Sequence, residues 1–125
     1  MEKWLGLSLL RAQLKLQLLR EQSDLCQLCG KPGATDLHEA FLKRGDLPPR
    51  RQWELRHLLF SPANCVVLHN WCHLEMGQTR EAELRLARYK LSQGYDLQTM
   101  FQSIEDEVPA WTSPAWNRQS EEVVT

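Results

Sequence analysis

Two short pairs of soft ligand residues constrain this chain more than anything else in it. Cys26-x-x-Cys29 and His69-x-x-Cys72 stand some forty positions apart, each with two residues between its members. The four cysteines could also close two disulfides. However, the chain opens Met-Glu-Lys-Trp, without the uninterrupted apolar stretch and small-residue cleavage site of an export signal. The expectation is a soluble protein in a reducing, intracellular compartment, where disulfides are rare. There, Cys-x-x-Cys signals a metal site or a redox pair. A redox pair opens a helix after a strand; here the run is Leu25-Cys26-Gln27-Leu28-Cys29-Gly30-Lys31-Pro32-Gly33, a tight turn with two glycines. Such a turn points both thiols of a pair at one ion while its backbone N–H groups soften the thiolate charge. The expectation is a structural, tetrahedral zinc site of Cys26, Cys29, His69 and Cys72, with folding linked to the metal. Cys65, in an apolar run, reads as a small core residue; its use as a ligand in place of His69 is the alternative.

At 125 residues the chain is one domain, or one small domain with arms. Its 42% apolar and 25% charged residues exclude wholesale disorder. The leucines of the first twenty residues are interrupted by Arg11, Gln13, Lys15 and Gln17, so no apolar run approaches the roughly 18–20 residues of a membrane span. The net charge of −1 is unevenly spread. Residues 41–60 are basic through Lys43, Arg44, Arg50, Arg51 and Arg56, and residues 78–90 through Arg80, Arg85, Arg88 and Lys90. The last twenty-one residues are acidic. A basic middle with an acidic tail suits a protein that meets phosphate locally; two solvated helix faces are the plainer alternative.

Periodicity predicts a leucine-rich N-terminal helix over 3–21, with Trp4, Leu7, Leu10, Leu14 and Leu18 inward and Arg11, Lys15 and Gln22 on the other side. Leu5, Leu9, Leu16 and Leu19 widen the apolar face, which is either clamped on the core or shared with a partner, such as a second copy in a homodimer. A short strand is expected over 35–41, a loop over 43–49, a short helix over 50–60 with Trp53, Leu55, Leu58 and Leu59 inward, and the best strand over 65–69. A second helix over 77–92 has Thr79 as N-cap and a stripe of Leu84, Ala87 and Leu91. A third starts from Asp96 with Leu97, Met100, Phe101 and Ile104 inward and ends at Val108-Pro109. Residues 109–125 carry two tryptophans and no periodicity, and read as an extended acidic tail. The expected organisation is an N-terminal helix (1–24), a zinc domain (25–92), a C-terminal helix (93–108) and the tail (109–125).

Once the zinc ligands are set aside, His38, Asn64 and His73 remain as ordered polar residues. With Cys26-Gln-Leu-Cys29, Asp36-Leu37-His38-Glu39-Ala40-Phe41, Lys43-Arg44-Gly45 and Asn64-Cys-Val-Val-Leu-His69-Asn-Trp-Cys72-His73, residues 25–92 resemble the HNH endonucleases, the ββα-metal group, and in particular small phage and bacterial members with a zinc knuckle. The resemblance implies an α+β fold: a ββα-metal core with a structural zinc knuckle, flanked by the N-terminal and C-terminal helices.

By position, the resemblance implies that His38 and His73 bind a catalytic divalent ion (Mg2+, Mn2+ or Ni2+), and that Asn64 pins the loop between the strands. It implies catalytic roles for His38, Glu39, Asn64 and His73, DNA as substrate, and a bacterial or phage-infected cell's cytoplasm as location. The second residue of the family's histidine pair, normally the general base, is here Glu39, for which three readings stand: base, further metal ligand, or sign of a degraded site. Lys43, Arg44, Arg51 and Arg56 are candidates to grip flanking phosphates. The chain is thus expected to be a DNA endonuclease; the alternatives are a zinc-stabilised nucleic-acid-binding module that has lost catalysis, and a structural adaptor in a larger assembly.

Overall fold

Cys65–Leu68 forms a fully buried strand, as its β-branched, apolar run requires. The computed structural model describes residues 2–124, with side chains from Leu5 onward, so the side chain of Trp4, expected on the inner stripe, lies outside what is described. In chain order the elements are α1 (Glu2–Glu21), β1 (Asp36–Glu39), a single 3-10 turn (Arg44–Asp46), α2 (Pro49–Glu54), α3 (Arg56–Leu59), β2 (Cys65–Leu68), α4 (Asn70–Glu75), α5 (Arg80–Ser92), α6 (Leu97–Glu107), β3 (Trp116–Asn117) and β4 (Glu122–Val123). The chain is therefore mixed α+β. Strands β1 and β2 pair antiparallel, with Asp36 opposite Leu68 and Glu39 opposite Cys65. Helix α1 lies across this hairpin, and α4 packs against β1. No helix among the described residues is long and apolar enough to cross a membrane.

On α1, Leu14 and Leu18 are buried, Leu7, Leu10 and Leu19 are half-buried against the core, and Leu5, Leu9 and Leu16 face outward. Gln22, expected on the polar side, is instead buried. Its amide donates to the Val67 carbonyl and its carbonyl accepts from the Val67 N–H, both at 2.8 Å, which ties the end of α1 to β2. An unpaired amide there would be costly, so the two-way bond fixes how the helix meets the sheet.

The helix expected over 50–60 is two helices, because the backbone at Leu55 leaves helical values (φ −103°, ψ 22°) and so turns Leu58 and Leu59 into the core. The helix expected over 77–92 begins at Arg80, where the Thr79 hydroxyl accepts from the Ala82 N–H. Its inward stripe is displaced by one position: Ala82, Glu83, Leu86, Ala87 and Lys90 are buried, whereas Leu91 is exposed. The reason is Lys90, whose ammonium bonds the Glu21 carboxylate at 3.3 Å and lies over the Tyr95 ring, with the Tyr89 and Tyr95 hydroxyls on the same carboxylate. Helix α6 follows its periodicity, with Asp96 capping the Thr99 N–H and Leu97, Met100, Phe101 and Ile104 buried.

The expectation of an extended tail is corrected. Trp111, Ala115 and Trp116 are buried, and β3 and β4 pair as a small hairpin. Phe101 sits at the centre of an aromatic cluster with Phe41, Trp111 and Trp116. The Trp111 indole donates to the Phe41 carbonyl and that of Trp116 to the Glu105 carboxylate. Two tryptophans without helical period are anchors of an irregular strap, a pattern that periodicity does not detect.

Candidate metal centre and adjoining cleft

The turn between Cys26 and Pro32 closes through Gly30 N–H to Cys26 C=O (2.8 Å) and Cys26 N–H to Lys31 C=O (2.9 Å), with a bridge between Leu25 and Pro32. Gly30 sits at φ +76°, where a side chain would be strained. Across from the turn, His69 precedes α4 and Cys72 lies in its first turn. The ligand atoms of Cys26, Cys29, His69 and Cys72 all fall within 4.8 Å of one another. A tetrahedron of sulfur ligands around one ion has edges of about 3.8 Å, so the four donors fit a single ion with little adjustment. Cys65 is outside this group; it is buried in β2, its thiol 3.4 Å from the Leu59 carbonyl.

The surroundings prepare these donors. His69 Nε2 lies 2.7 Å from the Pro32 carbonyl, which only accepts, so Nε2 carries the proton and the Nδ1 lone pair faces Cys29 Sγ at 3.0 Å. The Lys31 backbone N–H holds the Cys29 thiol below its ordinary range, against the effect of burial. Burial and the crowding of Cys26 and Cys29 push Cys72 up to about 12. Several thiols this close cannot all ionise without a cation among them, and a bound dication would remove that conflict.

One residue beyond Cys72 the chemistry changes. His73 is on the same helix but turned about 100° around its axis, and its ring meets that of His38, from β1, edge to face with centroids 5.0 Å apart. Alternation along β1 puts Asp36 on the face of His38. The Asp36 carboxylate accepts from the Asn70 amide at 2.9 Å and lies 3.3 Å from His73 Nδ1. Burial opposes its ionisation, but the hydrogen bonds from Asn70, His73 and Thr35 outweigh it and hold the carboxyl below its usual range. Sequence reading left Asp36 without a role; its i, i+2 relation to His38 was the available signal.

His38 is 1% exposed, and its Nε2 has no hydrogen-bond partner among the described residues. Burial, then the neighbouring His73 and Lys43, lower its pKa to about 4, so at neutral pH it presents a lone pair. Gly77 passes close over it: a Cβ there would lie 3.2 Å from the His38 ring and 2.8 Å from the His73 carbonyl. Glu39 is also buried, and its Oε1 accepts from the Arg44 backbone N–H at 3.0 Å, with the Arg44 guanidinium at 3.4 Å. A cleft of about 240 Å³ opens here, lined among others by Arg11, His38, Glu39, Lys43, Arg44 and His73.

Asn64 does not line this cleft. It is fully buried, its amide donating to the Leu42 and Leu59 carbonyls and its oxygen accepting from the Leu42 N–H, so it braces the loop and has no polar atom left for a substrate. Arg51 and Arg56 are also elsewhere. Arg51 bridges Glu54 and Glu107, and Arg56 stacks on Trp53 at 4.1 Å while donating to its carbonyl. Of the four basic residues expected near phosphate, only Lys43 and Arg44 reach the cleft, Lys43 paired with Glu83. Arg11, from α1, joins them unforeseen, because no local pattern connects a position on the first helix to a strand far along the chain. Comparison with protein-family models, with curated proteins and with solved structures returns no match for this chain.

Proposed function

We propose that this protein is a metal-dependent DNA endonuclease of HNH type, in which a zinc ion held by Cys26, Cys29, His69 and Cys72 stabilises the ββα core of β1, β2 and α4. The observation that carries the reading is the meeting of His38 and His73 across a cationic cleft, with a buried His38 Nε2 that has no hydrogen-bond partner among the described residues. An unpaired buried imidazole nitrogen is costly unless something binds it. The three-thiol, one-imidazole set matches zinc, a borderline-soft ion with tetrahedral preference.

His38 and His73 would hold a divalent ion such as Mg2+, Mn2+ or Ni2+. When bound, that ion supplies Lewis acidity toward the phosphodiester oxygens and the leaving oxygen. Asp36 orients the His73 ring through Nδ1, so that Nε2 is the nitrogen left for a ligand role. Glu39 is the proposed base: Oε1 is fixed by Arg44, and Oε2 makes no hydrogen bond with the described residues, which leaves it to take a proton from the attacking water. Lys43 and Arg44, although paired with Glu83 and Glu39, lie along the cleft where negative charge would develop on the phosphate. Asn64 holds the loop that carries them.

One observation favours a second reading. The hold of Arg44 on Glu39 equally suits a carboxylate that merely fixes the loop, as in a module that binds nucleic acid without cutting it. The two readings separate with supercoiled plasmid incubated with the zinc-loaded protein in magnesium, manganese or nickel, with and without chelator. We expect ion-dependent nicking by the wild type and none by His73→Ala, whose zinc content and thermal midpoint should be unchanged. A His73→Ala protein that cuts like the wild type would sink the HNH reading; a wild type that binds DNA but cuts with no ion would leave the binding module.

A further inference from the structure

Two buried side-chain nitrogens lack a hydrogen-bond partner among the described residues, and both belong to the walls of the same cleft: His38 Nε2 and Arg11 Nε. The first is accounted for by the ion proposed above. The second is not. Arg11 sits on α1, outside the stretch that carries the HNH resemblance, and among the described residues its guanidinium has no ion-pair partner. The other cations of the cleft are already engaged, Lys43 by Glu83 and Arg44 by Glu39. A buried, unpaired guanidinium nitrogen is a standing cost that an anion relieves, and its planar fork suits phosphate oxygens.

The surface continues the pattern. A second groove, of about 430 Å³, shares Arg11, Leu37 and His73 with the cleft and runs on to Lys15 and Ser8. Lys15 is one helical turn beyond Arg11, about 6 Å along the axis, so α1 sets two cations in a row leading into the His38–His73 pair.

We propose that Arg11 is a phosphodiester-binding residue, and that α1 forms one wall of the DNA site, Arg11 holding the phosphate at the histidine pair and Lys15 a neighbouring one on the same strand. The proposal rests on the nuclease reading for its ligand but makes its own demand. It assigns part of the substrate grip to the N-terminal helix, whose leucine pattern suggests only packing or dimerisation.

The test is fluorescence anisotropy of the zinc-loaded full chain on a short fluorescein-labelled DNA strand and its duplex, without added divalent ion, over a series of salt concentrations. Arg11→Gln should bind about ten- to a hundredfold more weakly and lose about one unit of salt slope. Arg11→Lys should recover much of the affinity and all of the slope, since it restores the charge without the fork. Lys15→Gln should show a smaller loss with a similar slope change. Thermal midpoints and zinc content of all three should match the wild type, so that a fold defect is recognised as such. Wild-type affinity and salt slope in Arg11→Gln overturn the proposal while leaving plasmid nicking, and with it the nuclease reading, untouched. A defect in Arg11→Gln that Arg11→Lys fails to restore at all also overturns it, since packing and not charge would then be at stake. If the wild type binds and Arg11→Gln does not, yet no ion supports nicking, the nuclease reading falls and the Arg11 site stands. Absence of binding by the wild type removes both.

Discussion

The cysteine–histidine cluster and the histidine cleft share helix α4, and their adjacent residues Cys72 and His73 serve different places. The cluster is closed. Its donors face one another, its imidazole is oriented by the Pro32 carbonyl, and its turn is held by backbone bonds. The cleft is open. Among the described residues it keeps a deeply buried imidazole nitrogen and a guanidinium nitrogen without hydrogen-bond partners, beside a carboxylate held by the loop at Arg44. A site that completes itself on binding one ion stabilises the fold, whereas one that stays unsatisfied holds free energy in reserve for a ligand.

The largest effect should come from breaking the closed site. Cys26→Ser or Cys72→Ser removes a donor, and with it metal-linked folding free energy of the order of several kcal/mol. We expect loss of stoichiometric zinc and of the cooperative thermal transition, read by metal analysis and calorimetry. Retention of both would show that the cluster does not organise the fold.

Changing the open site should leave stability nearly untouched and act on chemistry. With Glu39 as base, Glu39→Gln should keep DNA affinity and lower nicking by roughly 10²–10⁴, because the amide still accepts the Arg44 N–H. Glu39→His should retain or raise activity, as imidazole titrates nearer neutral pH. If excess manganese restores nicking to Glu39→Gln, the carboxylate is a ligand and not the base.

The smallest effect concerns the strap that closes the aromatic cluster. The Arg118 guanidinium and then the Trp116 indole hold the Glu105 carboxyl below its usual range. A carboxyl depressed in the folded state contributes stability above its unfolded pKa, and this is lost as pH falls through the lower folded value. Acidification below the ordinary glutamate range should therefore loosen the strap, seen as a change in tryptophan emission, and Glu105→Gln should show that emission already at neutral pH. An acid transition of the same size in Glu105→Gln would assign it to other groups.

Local chemistry made the cluster readable. Two-residue spacings, the glycine turn and the apolar strand each place their atoms within a few residues, so Cys26, Cys29, His69 and Cys72 are legible from sequence as one candidate set of metal ligands, with Cys65 the alternative to His69. The caps at Thr79 and Asp96 and the stripe of α6 follow for the same reason: hydrogen bonds three residues apart and a helical period need no distant partner. Resemblance, and not spacing, supplied the pairing of His38 with His73.

Tertiary structure alone decided what depends on elements far apart in the chain. It turned Gln22 inward to bond Val67, buried Lys90 against Glu21, folded residues 111–116 over Phe101, and took Arg51 and Arg56 away from the cleft. It also brought Arg11 of the first helix to the histidine pair. None of these has a local signature, because a long polar side chain looks the same in sequence whether its partner is water or a buried group from another element. What selects between them is the cost of leaving a buried donor or charge unpaired, and that cost exists only once the chain has folded.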